Sequence, residues 1–162
     1  MKYKNSKYSI FQLCEYSFSD DLIVYLFKRG VTIDSFINMR EVEFFEKIYN
    51  DIDTYYKIKS TIKNNKLESD YISIYILLLE GLSYNTINTC KSASITFESL
   101  SKYSKKKLKR QLNISEYNAN KILEAYNKIQ KYLNDNNYIN SKEKINKQQE
   151  LKEDVKKKYK YK

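Results

Sequence analysis

Apolar positions recur along this chain at three- and four-residue spacing. Ile10, Leu13 and Cys14 fall on one side of a helical turn by the i, i+3, i+4 rule. Leu22, Ile23, Leu26 and Phe27 form a second stripe. Ser17 or Ser19 is placed to N-cap that helix. Asp20 and Asp21 then occupy its first turn, where the helix dipole favours acids. Gly30 suits a left-handed C-cap, and Val31, Ile33 and Phe36 make a short apolar hook. Residues 39–49 read as amphipathic, with Val42, Phe45 and Ile48 in register. Asp51-Ile52-Asp53 breaks that pattern. Asp53 or Thr54 is placed to cap a further helix over 55–62, which Asn64-Asn65 ends.

The same order returns 64 residues on, the signature of an internal repeat. Ser9 pairs with Ser73, Ile10 with Ile74, Leu13 with Leu77 and Ser19 with Ser83. The run V-T-I-D-S-F from Val31 matches I-T-F-E-S-L from Ile95. Phe44 pairs with Leu108, Ile48 with Leu112, and Ile58 with Ile122, all without a gap. At the start of the second copy, residues 72–79 are apolar nearly all round. That predicts a helix buried on more than one side and two units packed as one body. The second copy then runs through a Ser83-initiated helix, a hook over 95–100, a Lys-rich helix, Leu112-Asn113-Ile114-Ser115 and a last helix over 117–129. The predicted fold is all-α: two tandem small helical modules of helix–hairpin–helix type, 1–66 and 67–134, followed by a basic tail over 135–162. The first eight residues form a basic, Tyr-containing arm. The tail carries helix formers over 141–155 and ends in a Lys/Tyr run predicted to be disordered.

Composition supports helices and restricts chemistry. The 162 residues include no Pro, no Trp, no His and two Gly. Hairpin sheets need turn glycines that this chain lacks. A lone module of about 60 residues would bury only about 60% of its unfolded surface, so two packed modules are the more stable arrangement. Without His the commonest general base and metal ligand are missing. Cys14 and Cys90 lie in apolar helical patterns and read as buried free thiols. No phosphate loop, metal cluster or nucleophile–base pair is visible, so neither enzyme activity, cofactor nor metal is expected. No apolar run approaches a membrane span, which points to a cytoplasmic protein without membrane contact.

Charge separates the segments. Residues 1–70 carry 11 basic and 11 acidic side chains, net zero; 71–130 carry 9 and 4, net +5; 131–162 carry 10 and 5, net +5. The chain's net +10 therefore belongs to the second module and the tail. Localised positive charge is the footprint of a polyanion surface. Lys102, Lys105, Lys106, Lys107, Lys109 and Arg110 crowd just before the hairpin, around the apolar positions Leu108 and Leu112.

The order L-S-x-N-T-x-N-x-C-K from Leu82 continues through S-I-T-F-E-S-L, a Lys-rich helix, and L-N-I-S-x-x-N-x-x-K-I ending at Ile122. It resembles the C-terminal domain of the bacterial RNA polymerase alpha subunit over about 48 residues, and more weakly over 18–62. The resemblance implies a small helix–hairpin–helix fold that binds A·T-rich minor groove and contacts transcription factors. It places the family's minor-groove Arg on Asn85 and its Asn on Asn88. The hairpin Gly falls on Ser115, the Lys on Tyr117 and the Ser on Asn118. The Arg that enters a narrow minor groove and the Gly that admits a phosphate to backbone amides are both replaced, which weighs against polymerase-type groove reading. In the first copy the equivalents are Asp21, Val24, Asp51, Asp53 and Thr54, whose acids would repel DNA.

The expected function is non-enzymatic DNA binding in transcription or its regulation. Lys105, Lys106, Lys109, Arg110 and Lys121 would contact duplex phosphates, with Asn85, Asn88, Ser115 and Asn118 as polar partners. Tyr55, Tyr56, Tyr75 and Tyr126 lie at helical spacing and read as core or interface. The competing expectation is a protein-interaction module that binds polymerase or another replication or transcription component, with the lysines serving solubility. A third is homo-oligomerisation through the apolar 72–79 segment.

Overall fold

The structure, a computed structural model, describes residues 6–134. Among these, every regular element is helical and there is no strand. The basic tail expected over 135–162 and most of the N-terminal arm lie outside the described residues.

The first half begins with a 3-10 segment, Ser6–Tyr16. Helix α1 (Asp20–Lys28) follows, then α2 (Ile33–Ile37), α3 (Glu41–Glu43) running on as a π turn over Phe44–Ile48, and α4 (Ile52–Asn65). The second half repeats the order with a 3-10 segment Ile74–Glu80, α5 (Tyr84–Ser92), a 3-10 turn Glu98–Lys102, α6 (Lys105–Leu112) and α7 over 116–134. Helices α1 and α5 start and stop 64 residues apart, α3 with its π turn matches α6, and α4 and α7 start 64 apart.

Local chemistry explains the boundaries. Ser19 and Ser83 are N-caps whose Oγ accept from the amides of Leu22 (3.2 Å) and Thr86 (3.1 Å), satisfying donors that a helix start leaves unpaired. Thr32 and Ser35 bond reciprocally in a capping box at the first hook, and Thr96 and Ser99 do the same at the second. The cap of α4 is Asp51, which accepts from the amides of Asp53 and Thr54. The expected caps Asp53 and Thr54 are instead the second and third residues of the helix. Left-handed turns follow both 3-10 segments, at Ser17 (φ 75°) and Gly81 (φ 83°). They also follow α1 and α5, at Gly30 (φ 80°) and Ser94 (φ 64°).

One apolar core runs through both halves. Ile23 and Ile87, Leu26 and Cys90, Val31 and Ile95, Ile33 and Phe97, Phe36 and Leu100, Phe44 and Leu108, and Ile58 and Ile122 are all buried. In the first half Phe44 and Tyr55 lie 5.5 Å apart, and the Tyr55 hydroxyl donates to the Met39 carbonyl at 2.7 Å. Ala119 takes the Tyr55 position in the second half, where Phe97 packs on Tyr126 at 5.0 Å. The two 3-10 segments pack together and join the halves. Polar bonds reinforce the joint. The Gln12 amide bonds both the carbonyl and the N–H of Glu68. Glu15 accepts from the Ser73 hydroxyl at 2.6 Å and pairs with Lys91 at 4.0 Å.

Two expectations require correction. Val42 and Phe45 are not core residues; they are 52% and 45% exposed, while Phe44 is fully buried. Phe44 is the counterpart of Leu108, which is equally buried on the regular helix α6, and a π turn closed by the Tyr49 amide donating to the Phe44 carbonyl follows it. The 72–79 segment is not free to pair with a second copy, because Ile74, Tyr75, Ile76 and Leu77 are buried within the chain. Of the four tyrosines expected as core or interface, Tyr55, Tyr75 and Tyr126 are core residues and Tyr56 is 52% exposed.

Cys14 and Cys90 are buried free thiols. Burial pushes Cys14 up to about 12, with Asp20 and Glu15 adding to it, and burial pushes Cys90 to about 11. Tyr71 is pushed up to about 12, first by burial and then by the Glu15 charge. All three values exceed the ordinary 9.0 for Cys and 10.0 for Tyr. The unfolded chain therefore gives up these protons first as pH rises, and stability is full below about pH 9 and lost toward pH 12. Urea midpoints measured from pH 7 to 11 should stay level to about pH 9 and then fall. A midpoint that climbs above pH 9 would contradict this.

Candidate nucleic-acid interface

Helix α6 presents the cations. Ser104 caps it by accepting from the Lys107 amide at 3.1 Å, and Leu108 is fully buried beneath it. A helix anchored along one stripe holds its other faces in solvent. Lys106 and Arg110 are one helical turn apart on such a face. Both are exposed, and neither makes an ion pair among the described residues. Lys107 lies over the Tyr103 ring at 4.7 Å.

The hairpin follows. Asn113, left-handed at φ 56°, ends α6. Ser115 then caps α7, its Oγ accepting from the Asn118 amide at 3.1 Å. The start of α7 carries unpaired amides and the positive end of the helix dipole, both of which favour an anion. Two of the expected phosphate ligands are already engaged there. Lys105 and Lys109 pair with Glu116, the first residue of α7, at 3.1 and 3.9 Å. The hydrogen bond from Lys105 holds the Glu116 carboxyl below its ordinary value, with the Lys105 and Lys109 charges adding to it.

Asn85 and Asn118 meet across a depression of about 160 Å³, lined also by Thr86, Thr89, Leu112 and Ile114. Asn88 lies one turn along α5, but its side-chain oxygen accepts from the buried Tyr75 hydroxyl at 2.7 Å. It is thus partly committed to structure. Lys121 is one turn beyond Asn118 on α7 and lies over the Tyr117 ring at 5.4 Å. Apart from Asn88, the expected residues therefore divide into three sets. Lys106, Arg110 and Lys121 are available cations, Asn85, Ser115 and Asn118 are polar groups around the hairpin, and Lys105 and Lys109 are held by Glu116. That hold was missed because Lys105 and Glu116 are 11 residues apart and meet only when the hairpin closes.

The same face in the first half has the opposite character. Glu41, Val42, Phe45 and Glu46 stand 64 residues before Lys105, Lys106, Lys109 and Arg110, and Asp51 stands before Ser115. Among the described residues no group of His, Cys, Asp and Glu side chains is placed to hold a metal ion, and no helix is long and apolar enough to cross a membrane. No protein-family model, curated protein or solved structure matches this chain.

Proposed function

We propose that this chain is a non-enzymatic DNA-binding protein acting in transcription or its regulation. It is built from two tandem helix–hairpin–helix-like units, 1–66 and 67–134. The second unit and the tail lie on the duplex backbone. The observation that carries this reading is the exposure of three cations, Lys106 and Arg110 on α6 and Lys121 on α7, in the stretch of chain that flanks the Ser115 cap. Their counterparts 64 residues earlier are Val42, Glu46 and Lys57, so two of the three cations belong to the second half alone. Phosphate contacts of this kind set position and orientation without specifying sequence. The resemblance to the polymerase alpha C-terminal domain agrees with it in the order of parts.

Fluorescence anisotropy with a labelled 20-base-pair duplex tests the proposal. Three free cations predict a log–log salt slope of about −2.7 from this face, before any contribution from the tail. A·T-rich and G·C-rich duplexes should bind alike. Glu116→Gln releases Lys105 and Lys109, so it should tighten binding and steepen the slope by up to about 1.8. Absence of binding at 50 mM salt would end the reading. The second reading, a protein-interaction module without DNA contact, is favoured by one observation: Glu116 engages two of the hairpin cations within the chain and offsets one of their two charges.

A further inference from the structure

A second concave surface is lined by residues of the first half and by Leu67 just after it. It runs between α2 and the C-terminal part of α4 and encloses about 830 Å³. That volume lies within the range of preformed binding clefts, roughly 300–1,000 Å³. Its floor is apolar. Ile37 is 48% exposed and Tyr56 52%, and Ile62 and Leu67 line it with them. Its exposed apolar side chains are gathered in one cleft rather than scattered singly. The rim is cationic, with Lys59, Lys63 and Lys66. Lys59 donates to the Ile37 carbonyl at 3.2 Å and closes one side. Lys63 and Lys66, by contrast, are exposed and make no side-chain bond among the described residues.

This cleft is not a by-product of the repeated fold. At the equivalent positions of the second half, Ile37 and Tyr56 become Ser101 and Asn120, and Lys59, Lys63 and Lys66 become Leu123, Asn127 and Gln130. Both the apolar floor and the cationic rim are therefore features of the first half alone. The combination selects among occupants. A nucleic-acid backbone would use the lysines but leave Ile37 and Leu67 without a partner. An aliphatic or aromatic side chain covers the floor, and carboxylates beside it answer Lys63 and Lys66. An amphipathic segment supplies both at helical or extended spacing.

We propose that this groove docks a short acidic amphipathic segment of a partner protein, with its apolar side chains on Ile37, Tyr56 and Leu67 and its carboxylates on Lys63 and Lys66. The proposal stands apart from DNA binding, since it uses a different half and different side chains. Selection of a phage-displayed random 16-residue peptide library on the full-length chain tests it. The expected outcome is enrichment of peptides with Asp or Glu interleaved with Leu, Ile, Phe or Trp. The labelled consensus peptide should lose at least tenfold in affinity on the double variant Lys63→Glu, Lys66→Glu, whose fold is checked by circular dichroism. It should lose a similar factor on Tyr56→Ser. Duplex binding by both variants should be unchanged. Failure to enrich any sequence, enrichment without an acidic excess, or a consensus peptide indifferent to these substitutions would each overturn the proposal. A loss of duplex affinity in the lysine variant would assign the groove to nucleic acid instead.

Discussion

Reversing the charges of Lys106 and Arg110 together is expected to weaken duplex binding by about 60-fold at 0.1 M monovalent salt. Each phosphate contact releases about 0.9 counterion, which at that salt is roughly an eightfold contribution, and two contacts multiply. The log–log salt slope should become shallower by about 1.8 at the same time. These two side chains are singled out because they are exposed, one turn apart, and unpaired among the described residues. Lys105→Gln is the matched control. Its ammonium is held by Glu116 at 3.1 Å, so its removal should cost less than the loss of Lys106 alone. Fold should be intact in all of these variants, because α6 is anchored by Leu108, which they do not touch. An affinity and slope that survive the double reversal would move the interface off α6.

Phe36→Ala should cost about 3–5 kcal/mol of stability, the usual range for emptying a buried aromatic site. Phe36 is fully buried, with its ring 5.5 Å from Phe44 and 5.3 Å from Tyr55. Three mutually packed rings leave no small side chain able to move into the space. A domain has only about 5–15 kcal/mol in total, so urea denaturation followed by far-ultraviolet dichroism should show a much lower midpoint. The more telling measurement is hydrogen exchange. The core continues across the joined 3-10 segments, so amides of α5 should lose protection together with those of α1. Unchanged protection in α5 would show that the halves unfold separately.

Much of the helical architecture is legible in the residues because its boundaries are set locally. Ser19 and Ser83 cap through contacts three residues away, and Thr32 with Ser35 and Thr96 with Ser99 do likewise. The buried hook residues Val31, Ile33 and Phe36 follow from their spacing with no knowledge of what they pack against. Features that depend on distant groups are not legible in the same way. The turn at Phe44–Ile48 is of π type. Val42, Phe45 and Ile48 satisfy helical spacing, but so do Phe44 and Ile48, and it is Phe44 that the chain buries. Residues 74–80 have the apolar content of a core helix but take the tighter 3-10 form, a distinction periodicity does not make over seven residues. The candidate interface divides the same way. The cationic run of α6 is plain in the sequence, whereas the pairing of Lys105 and Lys109 with Glu116 exists only once α7 folds back. The Asn88 side chain likewise reads as a free amide until Tyr75 is seen beside it.

The left-handed turns bear on what residue counts can say. The turn after each 3-10 segment is made by Ser17 in one half and Gly81 in the other. The turn after α1 and α5 is made by Gly30 in one half and Ser94 in the other. Each half thus spends a single glycine, at opposite reversals, and bends an ordinary residue through the other at a steric cost of about 1–2 kcal/mol. Tertiary packing dictates these reversals, and glycine only eases them. A tally of glycines consequently underestimates how often such a backbone can double back, and two are enough here because the surrounding helices enforce the rest.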